Sequence, residues 1–212
     1  MKKTSRPMII AMCALVAALG VGGTIAWLTD STVAVENTFT AGDVDITLTE
    51  STGEDYKMVP GNDISKDPTV TVEKGSEACW LFVQVKEADN AIDGVKFIEW
   101  AVDTAAGEWT QLGSTTAEGV STYYRAVAAT ESSKVSFNVL QTKDGYANGY
   151  VTVNDEVTKQ MMEAIDGLNN DGTENSTEKQ PKLTFKAFAV QQANINDVNA
   201  AWSKIADSEK LS

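Results

Sequence analysis

Apolar and polar residues alternate with period two through much of the chain, and that alternation predicts half-buried β-strands. Val44, Ile46 and Leu48 face one way while Asp43, Asp45, Thr47 and Thr49 face the other. An earlier segment repeats the pattern, with Val33, Val35 and Phe39 set against Thr32, Ala34, Glu36 and Thr38, and Gly42 is the hinge between the two strands. Further strands are predicted at residues 69–72, 80–86, 95–102, 108–112, 121–127, 134–140, 150–153 and 183–191. Turn residues divide them at Gly61-Asn62, Lys74-Gly75, Asp93-Gly94, Ala106-Gly107, Asp144-Gly145 and Asn148-Gly149.

Two segments carry helical spacing instead. Residues 155–168 bring Val157, Met161, Met162, Ile165 and Leu168 to one face behind caps at Asn154 or Asp155, and Asn196 or Asp197 caps a run with Val198, Ala201, Trp202 and Ile205. Many strands with two short helices predict a mainly β fold, a β-sandwich rather than an α/β layer structure. Residues 169–179, dense in Asn, Asp, Gly, Ser, Thr and Glu, are predicted to be a polar loop.

The first 28 residues break the alternation. Lys2, Lys3 and Arg6 precede an uncharged run from Met8 to Val21, the layout of a secretory signal. Thr24 and Ala26 are small residues two apart, which places the cut between Ala26 and Trp27. An uncleaved anchor is the alternative, since an uncharged stretch of about 20 residues spans a bilayer; Gly20, Gly22 and Gly23 weaken such a helix. The expected organisation is a signal peptide at 1–26, an N-terminal strand at 27–42 and a β-domain at 43–212.

Charge narrows the partners. The chain carries 17 Lys and Arg against 30 Asp and Glu, a net charge of −13. Losing Lys2, Lys3 and Arg6 with the signal takes this to −16. So acidic a surface repels nucleic-acid backbones and anionic lipid, so no nucleic acid is expected, and membrane contact only through the signal before cleavage. Cys13 leaves with the signal, so Cys79 stands alone and forms no internal disulfide. Its apolar neighbours predict a small buried residue, with an intermolecular disulfide as the alternative.

Candidate chemistry is sparse. The chain has no histidine, which excludes Ser-His-Asp and Cys-His arrangements and leaves a zinc peptidase without its usual ligands and its H-E-x-x-H helix. The carboxylate pairs Asp43 with Asp45 and Asp103 with Glu108 meet the minimum for a glycosidase, but an acidic chain makes such pairs by chance. Asn169, Asn170, Asp171, Glu174 and Asn175 do not follow the spacing of a calcium loop. Trp80, Trp100, Trp109, Tyr123, Tyr124 and Trp202 read as core and cross-strand pairs rather than a sugar-binding surface. No catalytic residue, metal or cofactor is expected.

Three patches carry a family resemblance. The first runs from Gly22-Gly23-Thr24-Ile25-Ala26-Trp27-Leu28-Thr29-Asp30 to Asn37-Thr38-Phe39-Thr40-Ala41-Gly42-Asp43-Val44-Asp45-Ile46. The second is Val59-Pro60-Gly61-Asn62-Asp63-Ile64 followed by strands at 70–72 and 79–85, and the third is 188–193 with Ala200-Ala201-Trp202. Together they resemble the SipW-type signal and mature domain of the TasA/camelysin family. The resemblance implies a jelly roll, secretion to the extracellular matrix or cell surface, a dedicated SipW-like signal peptidase, and assembly into biofilm-matrix fibres. It also implies, through the camelysin branch, a secreted peptidase as the alternative.

In a fibre, the N-terminal strand, with Leu28, Val33, Val35 and Phe39 and its hinge at Gly42, leaves its own sheet and completes a neighbour's. Such contact is head-to-tail and does not close, so the expected partner is the protein itself, with a nucleating accessory protein as a further partner. The other readings are that the strand stays in its own domain, or that the protein is a monomeric adhesion or carbohydrate-binding module.

Overall fold

The computed structural model describes residues 29–33, 36–38, 44–52, 56–105, 107–165, 180–195 and 197–212, the first two stretches by their strand pairing alone. Its centre is a pair of ten-residue strands, β6 (Cys79–Ala88) and β14 (Lys182–Gln191), antiparallel in unbroken register from Lys182 opposite Ala88 to Gln191 opposite Cys79. On the far side of β6 lies β11 (Val120–Val127), whose own outer neighbour is β10 (Thr110–Gln111). On the far side of β14 come β1 (Thr29–Val33) and then β2 (Glu36–Thr38), giving the order β10-β11-β6-β14-β1-β2.

A three-stranded sheet, β12 (Val135–Asn138), β5 (Thr69–Val72) and β3 (Ile46–Thr49), packs on one face of the large sheet. Alternation decides the contact: Ile46, Val70 and Val72 point inward against Leu81, Val83 and Val85 of β6 and Ala187 and Ala189 of β14, all fully buried. The opposite face of the same two strands presents Phe82, Phe188 and Val190, covered by Ile195, Ala201 and Ile205 of the C-terminal segment. Trp202 lies over both rings, 5.1 Å from Phe82 and 5.7 Å from Phe188, and the indole N–H of Trp80 donates to the Ile195 carbonyl at 3.0 Å. Strands buried on both faces lose alternation and read as continuous apolar runs, which is how 79–83 and 187–190 appear.

A second small sheet orders β4 (Asp63–Ser65), β13 (Tyr150–Val153) and β9 (Ile98–Glu99), and β7 (Ala91–Ile92) pairs with β8 (Val95–Lys96) as a hairpin. Helix α1 (Lys159–Ile165) closes a satellite core of Phe97, Val157 and Ile165. Helix α2 (Val198–Trp202) is capped by Asp197, whose carboxylate accepts from the Asn199 and Ala200 amides.

The fold is therefore mainly β and antiparallel, with two short α-helices among the described residues. The strand order does not by itself establish the jelly-roll connectivity that the resemblance implies. Three further expectations are corrected. Residues 95–102 are not one strand, because Asn90 takes the place of a neighbouring strand: its amide donates to the Ile98 carbonyl at 2.7 Å and accepts from the Ile98 N–H at 2.8 Å. Residues 108–112 shorten to the two residues of β10, since the Trp109 N–H donates to the Asp103 carbonyl instead of a ladder. The helix expected from Asp155 begins at Lys159, with the Thr158 hydroxyl accepting from the Met161 N–H. Its end at 166–168 and the polar loop at 169–179 lie outside the described residues.

Candidate assembly surface

β1 meets β14 through three pairs, Thr29 opposite Val190, Asp30 opposite Ala189 and Ser31 opposite Phe188. β2 then folds back on the outer side of β1, with Val33 opposite Glu36, Thr32 opposite Asn37 and Ser31 opposite Thr38. Within one chain the N-terminal strand thus takes the edge of its own sheet as a hairpin. Val33 ends β1; Ala26, Trp27, Leu28, Val35, Phe39 and Gly42 lie outside the described residues.

Lys182 to Phe185 pair with Ala88 to Val85 of β6, and among the described residues no strand pairs with their opposite side. A groove of about 810 Å³ lies there, with Ile64, Val151, Met162 and Leu183 among its apolar walls and Lys57, Lys66 and Lys182 along it. Gly149 shapes this end of the domain: its φ is +126°, and a Cβ there would stand 2.5 Å from the Lys66 carbonyl oxygen, so only glycine lets the two segments approach.

Lys66 is held from three sides. Its ammonium pairs with Glu50 at 2.5 Å and lies 4.9 Å from the Tyr56 ring centre and 5.6 Å from that of Phe185. Burial, then its hydrogen bond to Glu50, pushes the Tyr56 phenol up to about 12. Lys57 and Lys182 are exposed and in no ion pair among the described residues. Pattern reading missed this groove. β4 is three residues long with polar flanks, too short for alternation to register, and lysines 57, 66 and 182 are scattered in sequence. The turn at Pro60-Gly61-Asn62 was the available signal.

The candidate carboxylates that are described have other partners. Asp43 lies outside the described residues, and Asp45 has one carboxylate oxygen buried without a hydrogen bond among them; burial, then the charge of Glu73, raises its pKa. The Asp103 carboxylate accepts from the Ala105 N–H, while Glu108 pairs with Arg125 at 2.9 Å, so the two acids serve separate contacts. Cys79 is fully buried, and burial pushes its thiol up to about 12, far from a reactive thiolate. Trp109 and Tyr123 are buried, and none of Trp80, Trp100, Tyr124 and Trp202 is exposed. Trp100 donates its indole N–H to Glu87 at 2.7 Å.

Residues 1–78 match the family described as camelysin metallo-endopeptidase. That is the family the N-terminal patches resemble, and the camelysin match takes in the first of them, the second as far as its strand at 70–72, and strands β1 to β5; the strand at 79–85 and the third patch lie beyond it. No curated protein and no solved structure matches the chain. The metal centre named in the camelysin description does not fit the residues present. The chain has no histidine, its Cys79 thiol is buried and protonated, and among the described residues no three His, Cys, Asp or Glu side chains gather. Among the described residues no helix is long and apolar enough to cross a membrane.

Proposed function

We propose that the chain is a secreted structural subunit that assembles into extracellular fibres of a matrix or cell surface, its N-terminal segment of residues 27–42 completing the sheet of a neighbouring copy. The single observation that carries this reading is the attachment of that segment: its described strands take a sheet edge, held by three pairs to β14, by their own hairpin and by the approach of β1 to β3. A segment so held exchanges between copies at little cost, because the pairs lost in one chain reform in the next. Removal of the signal after Ala26 frees the segment, which makes a SipW-like peptidase the upstream partner and leaves room for an accessory protein that starts growth.

The net charge of −16 after cleavage opposes assembly. Salt screens it and acid neutralises carboxylates, so both are expected to raise filament yield. A second reading, a camelysin-type peptidase, is favoured by the description of the matched family and opposed by the missing ligand set.

The test is negative-stain microscopy with light scattering on protein starting at Trp27, beside protein starting at Ala41, at pH 5 and 7.5. Filaments from the longer form alone support the proposal. Dispersed monomers from both overturn it, and casein hydrolysis stopped by a chelator establishes the peptidase in its place.

A further inference from the structure

Residues 27–212 contain three methionines, Met58, Met161 and Met162, and one cysteine. These sulfurs are placed in opposite ways. Cys79 is fully buried in β6, whereas all three thioethers are half-buried and pack against the same satellite core of Phe97, Val157 and Ile165. Met58 reaches that core from the segment before the Pro60-Gly61 turn, and Met161 and Met162 reach it from α1, far along the chain. Met58 and Met162 also line the groove beside Ile64, Val151 and Leu183, which brings small solutes to them. Neither of the two larger clusters contains a methionine among the described residues.

Helix α1 is seven residues long. A helix that short does not hold in water by itself, so it stands on its packing. Besides the Thr158 cap and the surface ion pair of Lys159 with Glu163, the described contacts that tie it down are those of Met161, Met162 and Ile165 with the satellite core. Two of those three anchors are thioethers.

We infer that the three methionines form an oxidation site for a peroxide, and that their sulfoxides release α1 from the satellite core while the layered sheets stay closed. A thioether lone pair takes one oxygen of hydrogen peroxide: the S–O bond forms, the O–O bond breaks, sulfur gives up two electrons, and the second oxygen leaves as water with both hydrogens. The product is polar and accepts hydrogen bonds. It stays in an apolar core only at a cost, and water satisfies it once the helix has lifted away. At Met58 and Met162 the same step turns an apolar wall of the groove polar. None of this depends on whether the N-terminal arm exchanges between copies.

The test treats protein starting at Trp27 with hydrogen peroxide at neutral pH and follows it by peptide mass mapping and amide hydrogen exchange. Met58, Met161 and Met162 are each expected to gain one oxygen while Cys79 gains none. Exchange across residues 159–165 is expected to quicken about tenfold, with β6 and β14 unaltered. Methionine sulfoxide reductase is expected to return the helix to its starting rate. Leucine is close to methionine in volume, so the variant with Met58→Leu, Met161→Leu and Met162→Leu is expected to keep α1 and to be indifferent to peroxide.

Sulfoxides with unchanged exchange in α1, or methionines that stay reduced until the protein is denatured, overturn the inference. So does quickening in the variant that lacks all three thioethers, which would put the target elsewhere. Quickening as large in β6 and β14 as in α1 overturns it too, because the whole domain would then be opening.

Discussion

The pair β6 with β14 and the hairpin β1 with β2 belong to one sheet, yet they are held in different ways. The first pair shares ten registered positions, and both its faces are covered, by β3 and β5 on one side and by the C-terminal segment on the other. The hairpin pairs with the domain at three positions on the sheet's edge and approaches β3. The difference teaches that a strand's length and flanking layers, rather than its place in the hydrogen-bonded order, decide whether it is a permanent part of the fold. β14 belongs to both regimes, paired at ten positions along β6 and at three along its outer edge.

The largest test of the permanent half is Phe188→Ala. Phe188 is fully buried under Trp202, so its truncation is expected to cost about 3–5 kcal/mol, read as a fall in the denaturation midpoint. A loss under about 1 kcal/mol would mean that the C-terminal segment is a loose cover and not a layer.

Next comes Asp67, in the turn before β5, where one carboxylate accepts from the backbone N–H and hydroxyl of both Ser51 and Thr52. Burial pushes its pKa up, but those hydrogen bonds outweigh it and hold the carboxyl below the usual range. A depressed folded pKa contributes stability that is present above the ordinary aspartate value near 3.8 and is lost as pH falls through the lower folded value. Asp67→Ala is expected to cost about 2 kcal/mol at pH 7 and to flatten the acid limb of the stability curve below pH ~4. An unchanged acid limb would place that limb on other carboxylates.

Trp80→Phe keeps an aromatic ring but removes the five-membered ring of the indole with its N–H, leaving the Ile195 carbonyl without that donor, and is expected to cost about 1–2 kcal/mol in the same assay. The smallest effect on stability is expected from Ser31→Pro, which removes one ladder donor from the edge hairpin. Its midpoint should fall by less than about 1 kcal/mol equivalent while filament yield collapses. A large loss of stability with filaments intact would reverse the comparison.

Where one side-chain period governs a whole segment, the sequence was enough. Thr69 to Val72 and Tyr150 to Val153 emerge with the expected bounds, and β6, β11 and β14 within one or two residues of them. The misses have physical causes. The break of 95–102 depends on Asn90, a side chain imitating a strand, and no periodicity reports such a contact. β4 and β7 are too short to show a pattern and exist because β13 and β8 offer partners. The groove is a contact between residues more than a hundred positions apart, so neither Lys57 nor Lys182 announces it alone. The family resemblance reaches the N-terminal residues, but the half-edge of β14 that no described strand covers is a property of pairing and becomes visible only in three dimensions.

Cys79 opens β6, opposite Gln191 on one side and Val127 on the other, with no exposed surface. A thiol reagent gains access only when the central strands part, so the chain carries a stopwatch for its own opening. Its labelling rate reports how often the permanent half of the sheet lets go, independently of anything the N-terminal arm is doing.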